Sequence, residues 1–140
     1  MTTVLEPLAS ARAFAAKSAD RAATTLRTLS SKDEFAAASD LLAGIWGTRR
    51  DASPLTSDLL RSLSHADACV TGAIAGNEVV GVAVAISGPP MSEVMYSLIA
   101  GVKPSFAGRG VGIALKYAQR VWSLERGAQR MLWTYDPLIR

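Results

Sequence analysis

Phe35, Ala38, Leu41, Leu42, Ile45 and Trp46 recur at three- and four-residue steps, the spacing of a single apolar helix face. Just before them, Ser31-Lys32-Asp33-Glu34 has the S-x-x-E form of a capping box, in which serine and glutamate each satisfy a backbone donor at a helix start. A helix running to about Gly47 is therefore predicted. Residues 22–29 ahead of it alternate weakly and read as a first strand. Asp51 to Pro54 is a turn, with Pro54 suited to the first position of a second, short helix carrying Leu55, Leu59, Leu60 and Leu63. His65 falls at the end of that helix, where an imidazolium complements the dipole better than it serves as a base without a nucleophile.

The second half reads differently. Runs at 69–74 and 78–86 flank Gly76-Asn77 and predict an antiparallel hairpin. The second arm is almost unbroken in Val, Ile, Ala and Gly, the pattern of a central strand covered on both faces. Gly88-Pro89-Pro90 stops it, and residues 93–102 supply a further strand. A helix opens at Gly110 with Val111, Leu115, Ala118 and Trp122 on one face and Lys116 and Arg120 on another; Gly127 ends it. Residues 131–135 form a last strand before Asp136-Pro137. The order strand, two helices, three strands, helix, strand predicts an α/β fold with a mixed sheet. Residues 22–140 make the domain, and the Ala- and Ser-rich residues 1–21 a flexible leader.

Composition narrows the classes. The chain has 140 residues, 49% hydrophobic and 19% charged, which suits one domain. The lone Cys69 excludes an internal disulfide, and with the lone His65 argues against a metal site and for a reducing, cytoplasmic setting. No run approaches the roughly 18 apolar residues of a membrane span. The net charge is only +3, but Lys103, Arg109, Lys116, Arg120, Arg126 and Arg130 face Glu125 alone within their stretch. That concentration suits a polyanionic small molecule; nucleic acid is disfavoured because no aromatic stacking series accompanies the charge.

The stretch Val102-Lys103-Pro104-Ser105-Phe106-Ala107-Gly108-Arg109-Gly110-Val111-Gly112-Ile113-Ala114 carries the chemistry. A strand feeds a glycine-rich turn that opens a helix, so free N–H groups and the positive end of the dipole meet with no Cβ in the way, a cradle for phosphates. It is not a nucleotide P-loop, since Gly112-Ile113-Ala114 lacks the required Gly-Lys-Ser/Thr, and Leu115 stands where a dinucleotide fingerprint wants a small residue.

This order, with the glycine turn between the fourth strand and its helix, resembles the GCN5-related N-acetyltransferase superfamily. Its acyl-CoA signature is Arg or Gln, two residues, Gly, one residue, then Gly or Ala. Gly110-Val111-Gly112 fills the last part, while Ala107 departs at the first position. The resemblance covers about residues 25–140 and implies an N-acetyltransferase moving an acetyl group from acetyl-CoA, its cosubstrate, to a small-molecule or peptide amine by direct attack, without a metal. The alternative is a non-catalytic CoA-binding or interaction protein, or a fragment of a longer acetyltransferase. It further implies a wedge between the fourth and fifth strands. There Gly101 and Val102 would bond the pantetheine arm, and Ala107, Gly108, Arg109, Gly110, Val111, Gly112 and Ile113 would hold the pyrophosphate. Relatives continue past the fifth strand into a helix and two strands that this sequence lacks, so the last strand is expected to leave an open edge inviting a second copy or a complementing chain. Glu93, Tyr96, Ser97 and Tyr135 are catalytic candidates, and none is assigned.

Overall fold

The computed structural model describes residues 2–89 and 93–134, with side chains from residue 7 onward. Its centre is a five-stranded sheet in the order β1 (Thr25–Thr28), β2 (Cys69–Ala75), β3 (Glu78–Ser87), β4 (Val94–Val102), β5 (Arg130–Leu132). The first four strands pair antiparallel, and β4 and β5 run parallel.

One face of the sheet carries α2 (Lys32–Trp46) and α3 (Ser57–His65). The capping box at Ser31 and Glu34 forms in full, and Gly47 closes α2 in the left-handed conformation at φ 67°. Here Leu29, Phe35, Leu42, Leu60, Val82 and Val84 make a continuous aliphatic core. Pro54 does not open α3 as the sequence suggests. Thr56 does, its hydroxyl accepting from the Leu59 N–H, because a Thr N-cap satisfies an orphan donor that proline's ring cannot reach.

The other face carries α4 (Val111–Glu125) and α1 (Thr2–Arg21). Helix α1 corrects the expectation of a flexible leader. Alanine's high helix propensity and small size let it dock on α4. Ala11 is fully buried, Phe14 stacks on Tyr117 at 5.5 Å between centroids, and Arg12 pairs with Glu125 at 3.4 Å. This docking also shifts the buried face of α4. Val111, Leu115, Gln119 and Ser123 point into the core, rather than the predicted stripe ending at Ala118 and Trp122.

The hairpin forms around Gly76, at φ 60°, and β3 is buried from Val80 to Ala85 as predicted for a central strand. Strand β5 ends at Leu132, three residues short of the predicted 135; Tyr135 lies outside the described residues.

Candidate functional site

Strand β5 is only three residues long, and all of it pairs with the beginning of β4. Val94, Met95 and Tyr96 pair with Arg130, Met131 and Leu132, and pairing stops there. Beyond Tyr96, β4 runs on for six residues with no strand on its outer side among the described residues. The open stretch of β4 outlines a wedge-shaped gap, at whose closed end, the apex, Lys116 touches both Ser97 and Trp133.

Which backbone groups face the wedge follows from the ladder to β3. The Lys103 N–H donates to the Val80 carbonyl at 2.8 Å, and in an antiparallel ladder this facing alternates. Gly101 therefore turns its N–H and C=O to β3, whereas Val102 and Ala100 turn theirs to the open edge. Gly101 contributes differently: a Cβ there would come within 2.6 Å of Ile45 Cδ1, so its glycine lets α2 close on the strand. Val84 faces Ile99 and Ala85 faces Ser97, leaving Leu98 without a partner as a bulge, 41% exposed.

The wedge opens onto the turn before α4. Gly108 and Gly110 sit at φ 75° and 87°, with open space where a Cβ would project. Gly110 is the N-cap, and the Ala114 N–H is the first of the helix to donate, to Gly110. The N–H groups from Gly108 to Ile113 have no backbone partner among the described residues, as expected of a free helix start. Arg109 lies 4.9 Å over the Phe106 ring, adding a cation beside the turn. A Cβ on Gly112 would stand 3.8 Å from Val102 Cγ2, which sets the helix start beside the strand end, and Ile113 is 62% exposed. Ala107, exposed, offers no polar side chain.

At the apex a polar cluster occupies the core. Ser97 and Gln119 are buried; the Ser97 hydroxyl donates to Gln119 Oε1 at 3.1 Å. Lys116 Nζ donates to Ser97 Oγ at 3.1 Å and to Gln119 Oε1 at 3.2 Å, and lies 4.7 Å over the Trp133 ring. Burial without an acidic partner pushes the Lys116 ammonium below its usual pKa. Sequence reasoning placed Lys116 with Arg120 on a different face from the apolar stripe; the signal that could have found the cluster is the four-residue line Val111, Leu115, Gln119, Ser123.

The catalytic candidates scatter. Tyr96 points away from Ser97, its hydroxyl donating to Thr134 Oγ1 at 3.3 Å. Glu93 lies at the paired end of β4, its carbonyl accepting from the Gln129 and Arg130 N–H groups. Cys69 is buried beside Thr71, and burial pushes its thiol pKa up. A cavity of about 790 Å³ runs between α2 and the end of the β2–β3 hairpin, with Lys103 and Pro104 on its rim. It adjoins the end of β4 that leads into the glycine turn and does not include Ser97, Lys116 or Gln119.

Solved structures share this architecture. An aminoglycoside acetyltransferase from an uncultured soil metagenomic sample, in complex with trehalose, superposes with a TM-score of 0.72 at 18% identity, over 84% of this chain and 80% of that one. An N-acetyltransferase from Staphylococcus aureus gives 0.67 at 17%, over 83% and 75%. Aminoglycoside N-acetyltransferase AAC(6')-Iy in complex with CoA gives 0.60 at 20%, over 81% and 79%. This is the fold of the GCN5-related N-acetyltransferases. No protein-family model matches the sequence, and no curated protein matches it. In this acetyltransferase fold the glycine turn, the β4 edge and the Lys116 cluster are contiguous, in that order, along α4.

Proposed function

We propose that the chain binds acetyl-CoA along the open edge of β4 and transfers the acetyl group to a primary amine. The observation carrying this reading is the continuity of that edge with a free helix start: Ala100 and Val102 present backbone groups outward, and the edge ends on the left-handed glycines of the turn. A pantetheine arm has about the length of four extended residues, roughly 13 Å, so with its pyrophosphate on the turn its thioester reaches the neighbourhood of Ser97. The N–H groups of Gly112 and Ile113, the dipole of α4 and the Arg109 side chain would hold the phosphates. Because most of that cradle is backbone, Ala107 weakens it without removing it.

A main-chain N–H at the bulge would polarise the thioester carbonyl. The amine's lone pair attacks the carbonyl carbon, the C–S bond breaks with its electron pair on sulfur, and the amine's proton leaves to water. The soil enzyme was also solved with sisomicin; for this chain we infer a small-molecule or peptide amine as acceptor. Among the described residues no helix is long and apolar enough to cross a membrane, and the cytoplasm is the proposed compartment.

A second reading is CoA binding without turnover. It is favoured by the apex itself, where no carboxylate among the described residues contacts Ser97, Lys116 or Gln119. Thermal unfolding with CoA, desulfo-CoA and acetyl-CoA tests the site, a ligand at 100 times its Kd adding about 2.7 kcal/mol. Gly110→Val should abolish that gain by blocking the phosphate approach and straining φ, and an unchanged gain removes the turn from the site. Thiol release from acetyl-CoA over a panel of amines then separates the readings: turnover excludes the second, and stabilisation without turnover excludes the first.

A further inference from the structure

Past the apex of the wedge lies a cavity of about 390 Å³ between α4 and β5. Leu124, Ala128, Met131 and Trp133 give it apolar walls, and Lys116, Arg120 and Arg130 bring three cations to it. No Asp or Glu lines it, and neither Arg120 nor Arg130 has a carboxylate partner among the described residues. Arg126, at the end of the same helix, is by contrast held by both oxygens of Asp67, at 3.0 and 3.1 Å. Two donors at the apex are also unspent. The Lys116 ammonium uses two of its three protons on Ser97 and Gln119 and turns toward the Trp133 ring. The amide nitrogen of Gln119, fully buried, has no acceptor, which in a core costs free energy until one arrives.

We propose that the acyl donor of this chain is a CoA thioester whose short acyl group ends in a carboxylate, received by Lys116, Arg120 and Arg130 in the cavity past the apex. The inference rests on the CoA site proposed above and specifies its acyl class. With the thioester near Ser97, whose hydroxyl lies 3.1 Å from Lys116 Nζ, two methylenes and a carboxyl carbon extend roughly 4 Å further, past Lys116 into the cavity that Arg120, Arg130 and Trp133 line. The methylenes lie against Trp133 and Met131, and the carboxylate replaces the water lost by the cations. The phosphates of the donor belong elsewhere, since Arg120 is nine residues into α4 from Val111, about 14 Å from the helix start.

The test is calorimetric titration of the full chain with CoA, acetyl-CoA, butyryl-CoA and succinyl-CoA. The last two share a four-carbon chain and differ in a terminal methyl against a carboxylate. Succinyl-CoA should bind at least about tenfold more tightly than butyryl-CoA, as a charge-assisted contact implies. That ratio should collapse toward one in Lys116→Met and also in Arg120→Met, an exposed position whose change leaves the core intact. A wild-type ratio near one, or one that both variants retain, overturns the proposal while leaving the CoA site standing. An equal loss for all four ligands in Arg120→Met places a nucleotide phosphate in the cavity and overturns it as well. Failure of all four to bind, CoA included, removes the CoA site and this inference with it.

Discussion

The two faces of the sheet are built from different material. Against α2 and α3 lie large apolar side chains, with Leu29, Leu42 and Leu60 each fully buried. Against α4 and α1 lie small ones, Ala22, Ala73 and Ala83 with Val80 and Val111, and beyond them the buried Ser97 and Gln119. Dense aliphatic packing fixes the first face and leaves nothing for chemistry. The second gives up packing volume for small residues and donors at the place where two strands part. With the proposed CoA site on the second face, stability and ligand recognition would be divided between the faces, with β4 as the shared wall: Gly101 and Ile99 pack on the first, Val102 and Ser97 on the second.

If that division holds, Leu42→Ala should cost most, about 2–5 kcal/mol for a cavity in a closed core. Urea denaturation monitored by fluorescence should show a lowered midpoint, while the folded fraction keeps its affinity for CoA. Gly101→Ala sits on the shared wall. The added methyl meets Ile45 at 2.6 Å with Leu42 behind it, so a loss of about 1–3 kcal/mol is expected. Because α2 must move away from β4 to accept it, the same variant should also weaken CoA binding, and a stability loss with unaltered affinity would show that the faces are more separate than drawn here.

Ser31→Ala removes the hydroxyl that accepts from the Glu34 N–H and should cost about 1 kcal/mol by the same denaturation measurement. Burial raises the pKa of Glu34, but the Ser31 N–H and hydroxyl and the Arg27 guanidinium outweigh it, and the net is downward. A depressed carboxyl contributes stability that is present above its unfolded value of 4.5 and is lost as pH falls through the folded value. The Ser31→Ala penalty should accordingly shrink in acid.

The smallest effect belongs to the second face. Burial depresses the Lys116 ammonium from its ordinary 10.5, so between the folded and unfolded values the unfolded chain binds more protons and stability rises with pH. Below the folded value the full cost of the buried charge is present. Lys116→Met, lacking the titration, should flatten this rise between the two values in thermal unfolding. An identical pH profile for both proteins would mean that the ammonium is solvated as freely as on an exposed helix.

The α2 face was legible because its signals are local. The capping box spans four residues, the stripe from Phe35 to Trp46 repeats within a single helix, and the Gly76-Asn77 hairpin joins neighbours in sequence. The glycine turn was legible for the same reason, since left-handed φ and an uncapped helix start are properties of a few adjacent residues. Other positions were settled by distant partners. Thr56 rather than Pro54 opens α3. Whether residues 2–21 fray or dock depends on Tyr117 and Glu125, more than a hundred residues away in the chain.

The sequence by itself determined the element order from β1 to β5, the capped helix, the hairpin and the glycine turn, because each follows from period, cap or φ within a short window. Only the tertiary structure decided that β5 ends at Leu132, paired with Tyr96, that Gly101 faces inward while Ala100 and Val102 face the open edge, and that Lys116 lies against Ser97, Gln119 and Trp133. Those facts depend on ladder register and on which helix face a second helix covers, and no short stretch of sequence contains either.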